Sequence, residues 1–484
     1  MKLEPTEKSA GTTDSEKQLS ELCDKTFLKL WSYPNLYTDE GLSRNNQGKE
    51  LCDLLCVFGG EVIIFSDKFI SFSNCDISIA WPRWFRRSIE SSCRQIIGAE
   101  KWIREQGHRI FLDKRCIHQF PLEIMNSGLR IHRVVVARNS KEVAENYFGG
   151  GSSGSLIVRS DLKGKDHYNY PFHVGMPLEN GPYFHVLDDV SLHLILGELD
   201  TVSDLVDYLN LKEKAATSGQ LRSAAGEEEI LAFYMRSRKG AKNNLNLIPS
   251  SVRRKFPGGV ALVEGLWQEL SESEEFREEK ELSQVSYYWD ELLQRIANHI
   301  ILGDAIGSHS VVDHEKVLRL FAAENRASRT ILGWNTYEKY LQVPPDMRSA
   351  RVVLSPSDKE KAFIFLFFPR GEDQNYEEYR NERQSAATAY AHTLKLISPE
   401  FRYICVIATE PQSSIGRSED FMAFDIQVLS SEEKARIRDM QSEYEIFTNT
   451  LPRGPAQVGS GRQRPQRNSP CPCGSGKKFK KCCG

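Results

Sequence analysis

Two groups of residues in this 484-residue chain have the types and spacing to do chemistry. The first closes the C-terminus, where Cys471, Cys473, Cys482 and Cys483 stand as C-x-C-x8-C-C within the last fourteen residues. Two close pairs of thiolates suit a tetrahedral zinc ion, and a segment with no core of its own gains most of its folding free energy from that coordination. Gly474 and Gly476 lie between the pairs, where the chain must turn back through conformations that a Cβ obstructs. Four protein ligands leave no position for water or substrate, so this zinc is structural.

The second group sits in two apolar runs, Leu51–Phe58 and Glu61–Lys68, separated by Gly59 and Gly60. Such a pattern is a β-hairpin with a two-residue turn, and its register places Asp53 opposite Ser66. Lys68, two residues further, shares that face and lies diagonal to Asp53, within reach of a long side chain. A carboxylate, a hydroxyl and an amine on otherwise apolar strands are costly unless they bind something or reach water. Asp67 points to the opposite face. Two more carboxylates are near in sequence. Glu50, three positions before Asp53, joins its face only where the strand is bulged or not yet extended, and Glu16 lies at the edge of the apolar stripe of the first helix.

The cysteine tail resembles the SEC-C motif, the zinc-binding tail of the SecA translocase and of many otherwise unrelated bacterial proteins. The resemblance covers about fifteen residues, with Cys483 in the place that is His or Cys in the family. It implies contact with protein partners or the ribosome. The hairpin, preceded by a helix and followed by a basic one, resembles the PD-(D/E)xK nuclease superfamily over residues 15–140. That resemblance implies a restriction-endonuclease-like α/β fold. It also implies a divalent metal, usually magnesium, held by Asp53 and an assisting carboxylate (Glu50 or Glu16), with Lys68 at the attacking water. The departure from the family is Ser66, which stands where a second carboxylate is expected.

The elements that must position these residues are legible in outline. Residues 1–14 are polar and read as disordered. A helix follows, capped at Thr13 or Ser15 with Glu16 at capping-box distance from Thr13, carrying Leu19, Leu22, Cys23, Phe27, Leu30 and Trp31 at helical spacing and ending at Pro34. From Trp81 to Gln106 an amphipathic helix gathers Trp84, Ile89, Cys93, Ile96, Ile97 and Trp102, and exposes Arg83, Arg86, Arg87 and Arg94 to any phosphate; Gln95 stands where some PD-(D/E)xK proteins carry a glutamine. Strands are expected at 108–113 and 131–137. Tyr147–Ser155 is glycine-rich but lacks Gly-Lys-Ser/Thr and reads as a surface loop.

The fold class is therefore multidomain α/β: a nuclease-like domain over 15–213, a linker over 214–226, a helical region over 227–345, a second α/β domain over 346–448, a flexible linker over 449–469 and the zinc module over 470–484. The eleven histidines show no paired ligand spacing, and the seven remaining cysteines read as reduced core residues. No apolar run of about eighteen residues and no leader-like segment appear, so the chain reads as cytosolic with no membrane association.

Net charge is −3, yet residues 451–484 carry eight Lys and Arg and no acid. Such a tail favours an acidic protein surface or a nucleic-acid backbone. Two functions follow from these features: a magnesium-dependent nuclease acting on DNA or RNA, or a non-catalytic adaptor whose zinc tail docks an acidic partner such as a chaperone or ribosomal site.

Overall fold

The glycine pair does close a hairpin. In a computed structural model, which describes residues 4–125, 127–238, 246–305, 309–412 and 418–448 with Lys478 and Lys481, strand β2 (Lys49–Phe58) and strand β3 (Glu61–Phe69) pair antiparallel from Phe58–Glu61 to Leu54–Phe65. That is the register a two-residue turn dictates, with Gly59 at φ 59°. The strand before them, β1 (Ser32–Thr38), pairs antiparallel with β2 and carries a bulge: Leu36 faces Cys52 but Tyr37 faces Glu50, so Leu51 is an extra residue in β2.

Helix α1 (Asp14–Phe27) begins on the expected capping box. The Thr13 side chain accepts from the Glu16 N–H, and Glu16 Oε2 accepts from the Thr12 and Thr13 N–H groups at 2.8 and 3.3 Å. Its stripe, Leu19, Cys23 and Phe27, is buried. The helix stops well before Pro34, because Leu28 and Lys29 turn left-handed at φ 49° and 58°; Pro34 lies inside β1, and Leu30 and Trp31 are buried beyond the helix end. Residues 4–13, expected as disordered, are placed against this turn. Lys8 Nζ donates to the carbonyl oxygens of Lys29 and, at 2.9 Å, Ser32, while Thr6 N–H donates to Ile301 O at 2.7 Å.

The sheet is completed by β4 (Ile110–Phe111), β5 (Arg130–Arg138) and β8 (His185–Leu187), in the order β4-β1-β2-β3-β5-β8. β4 to β3 are antiparallel neighbours, whereas β3, β5 and β8 run parallel. The central runs Val62–Phe65 and Val134–Ala137 are buried throughout, as strands covered on both faces must be. The residues at the end of β3 tell the faces apart. Ser66 bonds to the helix Ser91–Gln106, while Asp67 bonds to Arg138, which in turn bonds to Gln18 and Ser15 of α1. The expected helix over 81–106 is broken by a π-helical turn, Arg86–Glu90, between Ile77–Phe85 and Ser91–Gln106, and Ile97 is 38% exposed and not in the buried stripe.

A four-stranded sheet, β10-β9-β6-β7, is formed by β6 (Ile157–Lys163), β7 (His173–Met176), β9 (Leu221–Ala224) and β10 (Val260–Leu262). Residues 214–226, expected as a linker, thus contain the end of the helix Val202–Thr217 and all of β9. Tyr147–Ser155, expected as a loop, begins at the end of the helix Lys141–Tyr147 and then follows turns with Gly149, Gly150 and Gly154 at positive φ.

The chain divides into two compact units, residues 1–277 with 297–312, and 278–296 with 313–484. Within the second, β11 (Ser349–Leu354), β12 (Lys361–Phe367), β13 (Tyr403–Thr409) and β14 (Glu419–Asp425) form a sheet in chain order, backed by the helix Tyr376–Ile397. The alternation of strand, strand, helix, strand, strand, helix over 350–448 is the one read from the sequence. Free cysteines 23, 52, 56, 93 and 405 are buried; Cys75, against expectation, is exposed, and Cys116 is half-buried. No described helix is long and apolar enough to cross a membrane.

Candidate functional site

At the open end of the hairpin, Asp53 is only 3% exposed, and three donors hold its carboxylate. The Asp67 backbone N–H donates to Oδ2 at 2.6 Å, Gln95 Nε2 donates to Oδ1 at 3.2 Å, and Lys68 Nζ lies 3.5 Å from Oδ2. Lys68 reaches it from the same face, as the register requires, with its side chain 31% exposed. The amine therefore bridges a buried carboxylate and solvent.

Ser66 takes a different part from the one its position suggests. Its Oγ donates to Gln95 Oε1 at 3.0 Å, so Ser66 orients Gln95, and Gln95 orients Asp53. Gln95 comes from the helix Ser91–Gln106, which links the two elements through one amide. Asp67 points the other way, closed on Arg138 Nε at 2.8 and 3.0 Å with neither side chain more than 4% exposed.

The bulge at Leu51 supplies the condition under which Glu50 joins Asp53. One inserted residue reverses the alternation of faces, so Glu50 no longer has to point away. Asn35 Nδ2 then donates to Glu50 Oε1 at 3.2 Å and to Glu16 Oε2 at 3.0 Å, tying the two assisting carboxylates together. Burial raises the Glu50 carboxyl above its usual range despite the Asn35 bond; Asp53 and Glu16 push it further, and Lys68 opposes them. Glu16 is shifted down: its burial is outweighed by bonds from Asn35, Thr12 and Thr13. Its Oε2 is thus already the acceptor of a capping box, a structural duty that sets Glu16 apart from Glu50.

Asp53 and Glu50 lie in the field of the Lys68 amine and Glu16 joins them through Asn35, an excess of negative charge that suits a hard cation. They are nevertheless spread out. Among the described residues, the group of three possible ligand side chains drawn within 4.8 Å of one another lies elsewhere in the unit.

Arg83, Arg86, Arg87 and Arg94 are exposed, as the helix pattern requires. Arg94 closes on Glu90 at 2.9 Å, and Arg86 lies over the Tyr168 ring at 5.5 Å. The signal missed in the sequence was the Ser66–Gln95 bond, because residues 29 apart on a strand and a helix carry no fixed spacing. Cys471, Cys473, Cys482 and Cys483 lie outside the described residues.

Residues 467–484 match the SEC-C motif. The chain is 44% identical over 71 residues to the protein translocase subunit SecA of Syntrophobacter fumaroxidans, covering 13% of this chain and 8% of that protein. It is 43% identical over 60 residues to the SecA of Trichlorobacter lovleyi, 12% of this chain and 6% of the other, and 68% identical over 25 residues to that of a Sulfurovum strain, 5% and 3%. The chain thus spans less than a tenth of the length of these relatives. No solved structure matches it significantly.

Proposed function

We propose that the N-terminal unit is a metal-dependent phosphodiester hydrolase of PD-(D/E)xK type, acting on DNA or RNA, and that the C-terminal cysteines hold a structural zinc ion. The observation that carries the first part is Lys68 Nζ at 3.5 Å from Asp53 Oδ2, on one face of one hairpin and open to solvent. The order of elements also supports it: a helix, three antiparallel strands, a helix and a strand parallel to the third. The zinc rests on the SEC-C match and on the four thiols that fill its ligand positions.

Asp53 and Glu50 would hold magnesium. The ion would supply charge to the scissile phosphate and lower the pKa of a bound water. The protein's own groups do the rest. Gln95 and the Asp67 N–H fix the Asp53 rotamer, so its oxygens do not search for the ion. Lys68, half-buried with its amine open to solvent, would orient the water and meet the non-bridging oxygens. Ser66 leaves the site one carboxylate short, and Glu50 fills that deficit across the bulge.

Incubation of the purified full chain with plasmid, single-stranded DNA and RNA in magnesium or manganese tests this reading. Cleavage that falls by about a hundredfold or more in Asp53→Ala and Lys68→Ala is expected. Absence of cleavage with every substrate, or cleavage undiminished in Asp53→Ala, removes it.

A second reading, a non-catalytic adaptor that docks an acidic partner through its tail, is favoured by one observation: the segment that matches the SEC-C motif is the basic, cysteine-bearing end. Partner capture by the full chain and by a chain ending at residue 469 separates the two readings. Identical partners would dismiss a docking role for the tail.

A further inference from the structure

A second polar cluster lies where β5, β8 and the helix Val202–Thr217 meet. It brings together His132 of β5, His185 of β8 and Glu213 of the helix, residues no spacing rule connects. One ligand atom from each falls within 4.8 Å of the other two. His132 is 1% exposed, His185 is fully buried and Glu213 is half-buried at the rim.

The polar atoms of this cluster lack protein partners. Both ring nitrogens of His185 and Nδ1 of His132 are buried without a hydrogen bond. Native proteins seldom leave such groups unsatisfied, so three in one place require an explanation. The neighbouring cations do not supply one. Arg133 is forked onto Glu100 at 2.5 and 2.7 Å, and Lys212 is closed on Glu227 at 2.5 and 2.6 Å. Glu213 Oε2 lies 4.0 Å from His185 Nε2, too far for a hydrogen bond. A tetrahedral ion with bonds of about 2.1 Å spans about 3.4 Å between ligands, so side-chain movements of roughly an ångström draw atoms now within 4.8 Å of one another onto it.

His132 also has the support that metal-bound imidazoles have. Its Nε2 is 2.9 Å from Glu61 Oε2, and a proton donated there leaves Nδ1 as a free lone pair. Register places the parts: His132 pairs with Ile63 of β3, and His185 pairs with Val134, two residues beyond His132 on β5.

We propose that His132, His185 and Glu213 bind one divalent transition metal of the zinc class, with Glu61 orienting His132. Two imidazoles and a carboxylate suit zinc or cobalt and disfavour magnesium and calcium, which want oxygen alone. Three protein ligands leave a fourth position for water. The ion ties the three-residue edge strand β8 to β5 and to the last turns of the helix Val202–Thr217.

The tail thiols bind the same metals, so the test uses the full chain with Cys471, Cys473, Cys482 and Cys483 all changed to Ser. After chelator dialysis and reloading with Zn(II) or Co(II), metal is counted by elemental mass spectrometry. About one equivalent per chain is expected, lost in His185→Gln and in Glu213→Gln, with a cobalt spectrum free of thiolate charge transfer. Glu213 stands at the rim, so Glu213→Gln keeps the test decisive if His185→Gln does not fold; matching circular dichroism checks it. No bound metal in the four-serine chain, or metal retained undiminished in Glu213→Gln, overturns the proposal and assigns the buried nitrogens to water.

Discussion

Two of the three donors that hold Asp53, Gln95 and the Asp67 N–H, act on the carboxylate alone and not on a substrate. Gln95 is the most informative of these, since its amide joins Asp53 to Ser66. Replacing it by Ala leaves Oδ1 without a side-chain donor at a cost of about 1 kcal/mol. We expect Gln95→Ala to lower the cleavage rate about tenfold alongside that modest stability loss, and Gln95→Glu, which returns an acceptor where a donor is needed, to be worse. A stability loss with no rate effect would make Gln95 purely structural. His167 offers a second prediction at this scale. It is buried, its Nδ1 lies 2.7 Å from Gly164 O, and its Nε2 accepts from the Gly175 N–H at 2.9 Å, so the fold needs the neutral ring. Burial lowers its pKa below the ordinary 6.5. The unfolded chain therefore takes up a proton as pH falls through about 6.5 while the folded chain does not, and stability declines from there downward until the folded pKa is reached. The slope contributed by this ring is at most about 1.4 kcal/mol per pH unit. Urea titrations between pH 7 and 5 should show a smaller slope in His167→Gln.

Glycine gives the clearest prediction at the scale of elements, because two positions with the same residue have opposite surroundings. A Cβ on Gly175 of β7 would stand 2.1 Å from Arg159 O and 2.6 Å from Leu162 O, backbone atoms of the paired strand β6 that cannot step aside cheaply. Gly98, in the helix Ser91–Gln106, has nothing within 4 Å of its would-be Cβ. Gly175→Ala should lose about 2 kcal/mol or more, whereas Gly98→Ala should gain about 0.5 to 1 kcal/mol from helix propensity; urea midpoints measure both. The same contrast explains what could be read from the chain alone. Hairpin register, the Thr13–Glu16 capping box and the strand runs 362–368 and 403–408 follow from local rules, and they appear in the structure. The end of α1 does not, because Pro34 is a strong breaker signal while Leu28 and Lys29, whose left-handed turn ends the helix, look like helix formers. The Leu51 bulge was foreseeable only as a condition for Glu50, and the meeting of His132 with His185 was not foreseeable, since it depends on which strands lie side by side.

At the scale of the whole molecule the charge is divided. The last 34 residues carry +8, so residues 1–450 carry −11 against a total of −3. An acidic body with a basic end meets anions end first, and salt should weaken that meeting. Ending the chain at 469 removes Lys477, Lys478, Lys480 and Lys481. For duplex DNA in a filter-binding assay, the slope of log affinity against log salt should become shallower by as much as about 3.6 if all four contact phosphate. An unchanged slope would place those contacts elsewhere. The N-terminal sheet also has a property as a whole. Its outer strands are β4, two residues long, and β8, three residues long. Strands this short present hardly any free backbone to a neighbour, which is one way natural sheets resist joining edge to edge. Copies of this chain crowded together during synthesis should therefore have little tendency to zip through either of those two strands, and light scattering of concentrated protein checks this.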